Sequence, residues 1–278
     1  MTQHSRVHGT HKGRRGEDAP EAGKRKGLFG ITRAAWWLPV SIVALFAVIS
    51  VALAPEGSAR HHRDVIEFGE VAVFFEENDT DGDLGIQLFF DGEPWKRVRV
   101  YGPDQRKVFD VKNGGSLREI GSTEVFTESA EPGFDDLRHE DLIDLFPPGD
   151  YKFRGRGVEG EWLVGEATLT HNFPAAPDIT SPMEDEEVDI NDLLVVEWDT
   201  VADPNPPESV IEAYHVVVEK DEDDERLRVF AIDMLPTDTS VTVPPEFLEA
   251  GKDYKVENLA IETSGSKTIT KLAFETAE

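Results

Sequence analysis

Residues Ala34 to Ala54 (AAWWLPVSIVALFAVISVALA) form an uncharged run in which Ser41 and Ser50 are the only polar side chains. At about 1.5 Å rise per residue, a helix of this length matches a hydrocarbon core of about 30 Å. The segment before it holds eight basic and three acidic side chains. That bias keeps residues 1–33 in the cytoplasm and sends everything after the run to the other side. Trp36, Trp37 and Pro39, next to the basic flank, suit a membrane edge better than a buried core helix. A cleaved signal normally has a shorter apolar region followed by small residues. Ala52-Leu53-Ala54 offers such a site but runs into Pro55, and Gly57-Ser58-Ala59 offers another ahead of Arg60. The length of the run and of the segment before it favours an uncleaved, single-pass anchor at 34–54. Cleavage, giving a secreted or periplasmic protein, is the alternative. Residues 55–65 then read as a tether.

The part from residue 34 onward has 20 basic against 53 acidic residues, a formal net charge of −33. A field of that size argues against nucleic acid and anionic lipid as direct partners. It suits divalent cations, basic partners or a salty medium. Cysteine is absent, which excludes disulfides, thiolate metal sites and cysteine nucleophiles. Apolar cores alone must therefore hold an exported part long enough for two domains.

Residues 66–173 alternate in short runs. Val71–Phe75, Leu84–Phe90, Trp95–Tyr101, Val108–Val111, Glu124–Thr127, Tyr151–Phe153 and Glu161–Thr170 read as strands. In Trp95–Tyr101 the residues Lys96, Arg97 and Arg99 face outward. Leu137, Leu142, Ile143 and Phe146 predict one helix over 134–146, stopped by Pro147-Pro148-Gly149. The polar turn Glu76–Asp83 contains the hairpin dipeptide Asp81-Gly82. Asp79, Asp81 and Asp83 alternate there as the oxygen ligands of calcium do. Leu84 and Phe90 stand where an EF-hand has glycine and glutamate, so the loop is not of that class. The plain alternative is a hairpin turn whose acids cap their own backbone. Asn78-Asp79-Thr80 also matches a glycosylation acceptor.

The pattern Asn78-x-Thr80-Asp81-Gly82-Asp83-x-Gly85, then Asp91-Gly92-Glu93-Pro94-Trp95, then Thr127–Leu137, resembles a family of uncharacterised exported bacterial proteins. In that family such a domain precedes a fibronectin type III-like module. The resemblance implies architecture and carries no activity.

Pro174-Ala175-Ala176-Pro177 reads as a stiff junction opening a second unit, 174–278. Short strands follow near 186–190, 193–198, 211–219, 226–232, 239–243, 254–261 and 267–275, the rhythm of an antiparallel sandwich. Tyr214 lies on one face of the third strand with Val216 and Val218; His215 and Val217 face the other way. Leu248-x-Ala250-Gly251-Lys252-x-Tyr254-x-Val256-x-Asn258-x-Ala260 resembles the fibronectin type III signature. The resemblance makes Trp198 the core tryptophan and Tyr254 the tyrosine corner, its hydroxyl bonded to the preceding turn. Ala250 replaces a usual proline, and Asn258 stands where valine is common. Asn258 therefore belongs either at a sheet edge or at a core position with a hydrogen-bond partner.

No histidine pair has zinc-ligand spacing, no serine sits in a nucleophile elbow, and no glycine-rich phosphate loop precedes a helix. With so many acids, a carboxylate pair at catalytic spacing arises by chance and carries no assignment. Of Trp95, Trp162 and Trp198, alternation puts Trp95 and Trp198 in cores. The expectation is a mainly β chain: a transmembrane or signal helix followed by two β-sandwich-like domains, the second fibronectin type III-like. Its function reads as non-enzymatic, a membrane-anchored or secreted binding or spacer module for an envelope protein or glycan. The alternative is a calcium-dependent binding module, with carbohydrate as a candidate ligand, that uses Asp79, Asp81 and Asp83.

Overall fold

A computed structural model describes residues 64–201, 210–221 and 229–278. The apolar run 34–54 lies outside the described residues. Among those described, no helix is long and apolar enough to cross a membrane.

The first half contributes β1 (Val65–Glu67), β2 (Glu70–Asn78), β3 (Asp83–Tyr101), β4 (Lys107–Lys112), α1 (Leu117–Ile120), β5 (Ser122–Glu128), α2 (His139–Leu145), β6 (Gly149–Gly157) and β7 (Trp162–Leu169). Alternation drives it: Val73 and Phe75 of β2, Leu84, Ile86, Leu88 and Phe90 of β3, and Tyr151 and Phe153 of β6 all enter one buried cluster. Phe90 centres that cluster, with the rings of Phe68, Trp95 and Phe153 between 5.6 and 5.9 Å away. Tilted and edge-on aromatic contacts of this kind add to the area they bury.

Two predicted strands, 84–90 and 95–101, are one 19-residue strand, β3. Its first half pairs with β2 and β5 and its second with β4 and β6. The register slips between Asp91 and Trp95, an irregular point where Pro94, which lacks an N–H, is tolerated. The predicted helix 134–146 is shorter. Phe134 donates its N–H to Gly82 O at 2.8 Å, and Arg138 is extended (ψ 147°), so the helix starts at His139. Val65–Glu67 is an additional strand, too short for its alternation to be visible.

The second half holds β8 (Asp178–Ser181), β9 (Glu186–Val188), β10 (Val195–Asp199), β11 (Ile211–Lys220), β12 (Val229–Met234), β13 (Ser240–Thr242), β14 (Asp253–Glu262) and β15 (Lys267–Thr276). Strands pair in the order β13-β10-β8 in one sheet and β12-β11-β14-β15 in the other, with β9 along β15. Trp198, Tyr214, Val216, Val218, Tyr254, Val256 and Phe274 fill the space between them. This is an immunoglobulin-like sandwich.

Hydrogen bonds join the halves. β2 runs parallel to β15, with Glu76 beside Lys267 and Asn78 beside Ile269. Asp79 donates its N–H to Ile269 O at 3.0 Å. The hydroxyls of Thr268 and Thr270 donate to Pro174 O and Pro177 O, both at 2.6 Å, so the proline junction lies on β15.

Candidate functional site

The outward face of β4, β3, β6 and β7 is a grid set by strand register. One row reads Lys112, Arg97, Arg156, Trp162; the next reads Asp110, Arg99, Arg154, Val164; the third reads Lys107, Tyr101, Lys152, Glu166. Inward positions alternate with these and are filled by Val98, Val100, Phe153 and Leu163. Pairing therefore forces the arginines into one patch. Like charges directly opposite one another on paired strands are destabilising. Here Arg97 faces Arg156 on one side and Lys112 on the other, and Arg99 faces Arg154, in a chain with twice as many acids as bases.

Asp110 is the acid that offsets this. Its carboxylate accepts from Arg97 Nε at 2.7 Å, from Arg97 Nη2 at 2.6 Å and from Lys107 Nζ at 2.7 Å. Arg99 Nε is 3.6 Å away. The Arg97 hydrogen bond, then that of Lys107, holds Asp110 well below the usual carboxylate range. Among the described residues no carboxylate pairs with Arg156 in this way. Its guanidinium carbon sits 4.6 Å from the centre of the Trp162 ring, and its buried Nη1 has no acceptor among the described residues. Trp162 is 41% exposed. With Arg118 and Asn113 alongside, the top row lines an open groove of about 430 Å³. Guanidinium donors in this density suit carboxylate, sulfate or phosphate oxygens. The pattern was readable in WKRVRVY and YKFRGRG, where basic side chains recur at alternate positions. That β3 and β6 are neighbours was not.

The acidic turn is a different object. Asn78, not an aspartate, caps it: Asp81 N–H donates to Asn78 Oδ1 at 3.1 Å, and Asn78 Nδ2 donates to Asp81 Oδ2 at 2.9 Å. Gly82 takes the positive φ of 67° that the turn needs. The buried Asn78 amide nitrogen is thus engaged and shielded from glycosylation in the folded chain. Each aspartate also has a charged neighbour of its own. Asp79 acts on Glu77, whose carboxyl burial and then Asp79 push up to about 7. Asp81 pairs with Lys271 Nζ at 3.2 Å. Asp83, raised by burial and then by Asp81, also feels the charge of Glu76. The carboxylates that converge among the described residues are Glu76, Glu128 and Glu131, with oxygens within 4.8 Å of one another. No sequence motif announces that trio, because strand register assembles it.

In the second half, the Tyr254 hydroxyl accepts Glu249 N–H at 2.8 Å, and its ring stacks on Phe274 at 5.3 Å. The Tyr214 hydroxyl accepts Val201 N–H at 2.8 Å, and the rings of Tyr214 and Trp198 lie 5.6 Å apart. Asn258 is not at an edge. It lies on β14 between β11 and β15, wholly buried, and neither side-chain polar atom has a partner among the described residues. His215, read as outward-facing, is buried, with Nδ1 2.6 Å from Asp233 Oδ1.

No family model matches the chain and no curated protein matches it, so the resemblance over residues 66–173 assigns no family. Among solved structures the chain is similar to the fibronectin(III)-like modules of Clostridium thermocellum CbhA. The identity is 9% over 76% of this chain and 94% of that one, with a TM-score of 0.31. It is also similar to the FN1–FN3 domains of chicken CNTN1, with 13% identity, 77% and 65% coverage and a TM-score of 0.32. A two-domain fibronectin type III segment of chicken tenascin gives 11% identity, 75% and 98% coverage and a TM-score of 0.27. The sandwich assignment rests on the strand order above.

Proposed function

We propose that this chain is a non-enzymatic binding module of the cell exterior whose basic face docks an acidic glycan. The second half serves as a fibronectin type III-like spacer, and residues 34–54 as the anchor or signal. The observation that supports the reading most is the like-charge pairing of Arg97 with Arg156 and of Arg99 with Arg154. Folding alone disfavours that pairing, and an anionic ligand relieves it. Net charge averages over the molecule, whereas salt confines each charge to about 8–10 Å, so an acidic chain still presents a cationic surface locally. Trp162 is 41% exposed with the Arg156 guanidinium over one face of its ring, so apolar surface for a sugar and donors for its acid group lie together. An open groove with no convergent acid–base pair suits recognition better than turnover.

The test is binding of the full-length protein to a polyuronate and a sulfated polysaccharide, with a neutral glucan and a DNA duplex as controls. Both acidic glycans are retained at low salt, and Arg97→Glu with Arg156→Glu lowers affinity on the order of 100-fold. Equal affinity of that double variant for the acidic glycans overturns the reading, as does DNA binding as tight as glycan binding.

A further inference from the structure

Where β2 meets β15, three carboxylates converge and a buried amide hydrogen-bonds to one of them. Glu76 stands opposite Gly85 on β3 and beside Lys267 on β15. Gln87, two residues further along β3, stands opposite Glu128 on β5. Glu131 follows β5 by three residues and lies over Gly85. A Cβ at Gly85 would meet Glu131 Cγ at 2.9 Å, so the absent side chain makes the room.

Glu76 is 1% exposed and Gln87 is wholly buried. Lys267 Nζ forms an ion pair with Glu76 Oε2 at 2.7 Å, neither Glu76 oxygen has a hydrogen-bond partner among the described residues, and Oε1 has no ion-pair contact either. Gln87 Nε2 donates to Glu128 Oε1 at 2.9 Å, which brings its amide to the cluster, and its Oε1 is also unpartnered. Burying acceptors without donors is costly. Lys267 supplies its positive charge to Glu76 and Glu128.

We propose that this seam is a divalent-cation site of the calcium class, with Glu76 Oε1, one carboxylate oxygen each from Glu128 and Glu131, and Gln87 Oε1 as ligands. Calcium takes oxygen ligands at about 2.3–2.6 Å, so oxygens sharing one ion lie up to about 5 Å apart. The 4.8 Å limit on the three carboxylates meets that condition. The set has no nitrogen or sulfur ligand, which selects hard cations. Glu128 and Glu131 are half-buried, which leaves a way in. Lys267 keeps its place on Oε2 while the ion takes Oε1. Burial, offset by the Gln87 hydrogen bond, pushes the Glu128 carboxyl to about 7. Burial and then Glu128 push Glu131 to about 8. All four ligands belong to the first half, and Lys267 of β15 borders the site through Glu76 Oε2. This site is separate from the basic face and does not depend on what that face binds.

The experiment is thermal unfolding of the full-length protein near pH 7.5, stripped with chelator and then given calcium or magnesium at about 1 mM. Calcium raises the midpoint by about 3–6 °C and magnesium by less. Glu131→Gln and Glu128→Gln remove the rise, while Asp79→Asn with Asp81→Asn keeps it. Terbium luminescence of the wild-type chain, displaced by calcium, reads occupancy directly if a variant folds poorly. The proposal is overturned if neither calcium nor magnesium shifts the midpoint and terbium gives no calcium-displaceable luminescence. It is equally overturned if the shift survives Glu131→Gln and disappears with Asp81→Asn, since the ion then sits in the hairpin turn.

Discussion

Before Pro94, strand β3 turns Asp83 and Gln87 toward a cluster of acids; after it, the same strand turns Arg97 and Arg99 into a field of cations. Both regions crowd like charge by register, yet they relieve it differently. The cationic face has Asp110 beside Arg97 and Lys107, and Glu166 beside Lys152 in its third row, and lies open to solvent, so the remaining relief around Arg156 and Arg154 comes from a large ligand. The acidic seam has Lys267 and is mostly shut, so only a proton or a small ion reaches it. The difference teaches that a net charge of −28 says how the molecule behaves at a distance and little about what any one surface attracts.

The largest effect expected from this contrast is in salt. Acidic-glycan affinity falls on the order of 30-fold between about 50 and 200 mM salt, because the contacts are exposed charges. Glu128→Gln with Glu131→Gln follows the same curve. Fluorescence titration of both proteins checks it, and a diverging slope would mean that the two regions are one site.

Next comes pH, with chelator present so that no ion intervenes. Glu128 and Glu131 have folded pKa values of about 7 and about 8, above their ordinary 4.5. The folded state therefore binds protons more tightly than the unfolded one. Their contribution is full below about pH 4.3 and is lost as pH rises through about 7 and 8. The melting temperature should fall by a few degrees between pH 6 and about pH 9, a loss of about 1–2 kcal/mol after solvent screening. Asp110 has the opposite sign. Its folded pKa is depressed, so its support is present above about pH 4 and is lost in acid. A melting curve flat in alkali would remove the seam from the comparison.

How much of this was legible in the sequence follows from how each feature is made. The β-rich second half could be read because alternation and the Leu248–Tyr254 pattern are local, and the Tyr254 hydroxyl meets a backbone group only five residues upstream. The outward arginines of β3 and β6 could be read singly for the same reason. Their meeting could not, since Arg97 and Arg156 are 59 positions apart and only the β3–β6 register joins them. The seam was still less visible: Glu76 and Lys267 belong to different halves, and β2 and β15 pair in parallel without any connecting motif. The acidic turn drew attention because its aspartates are close in sequence, yet the fold sends Asp81 to Lys271 and caps the turn with Asn78.

Asn258 sharpens the contrast at a smaller scale. Its unpaired amide faces an apolar core with no acid cluster beside it, so nothing there calls for a ligand. Asn258→Val removes two unsatisfied groups at nearly constant volume and stabilises by about 1 kcal/mol in urea unfolding. Glu76→Val removes an unpaired oxygen too, but strands Lys267 at the seam and should destabilise. Similar costs for both variants would show that the seam is ordinary core.

The smallest effect belongs to Asp110, and it tests the cationic face from within. Asp110→Asn leaves the grid's shape and takes away the one charge that holds Arg97 as a fork and draws in Lys107 and Arg99. If the face is built for an anionic ligand, Asp110 competes with that ligand for Arg97. Its neutralisation then tightens acidic-glycan binding about threefold at low salt, with the gain erased as salt rises. If Asp110 instead orients Arg97 toward the ligand, freeing the side chain costs more than the added charge gives, and affinity drops. Titration of the single variant, alone and on the Arg156→Glu background, separates these. Tightening that disappears once Arg156 is reversed places Arg97 and Arg156 on one ligand. Tightening that persists places the ligand on the Lys107 side of the grid.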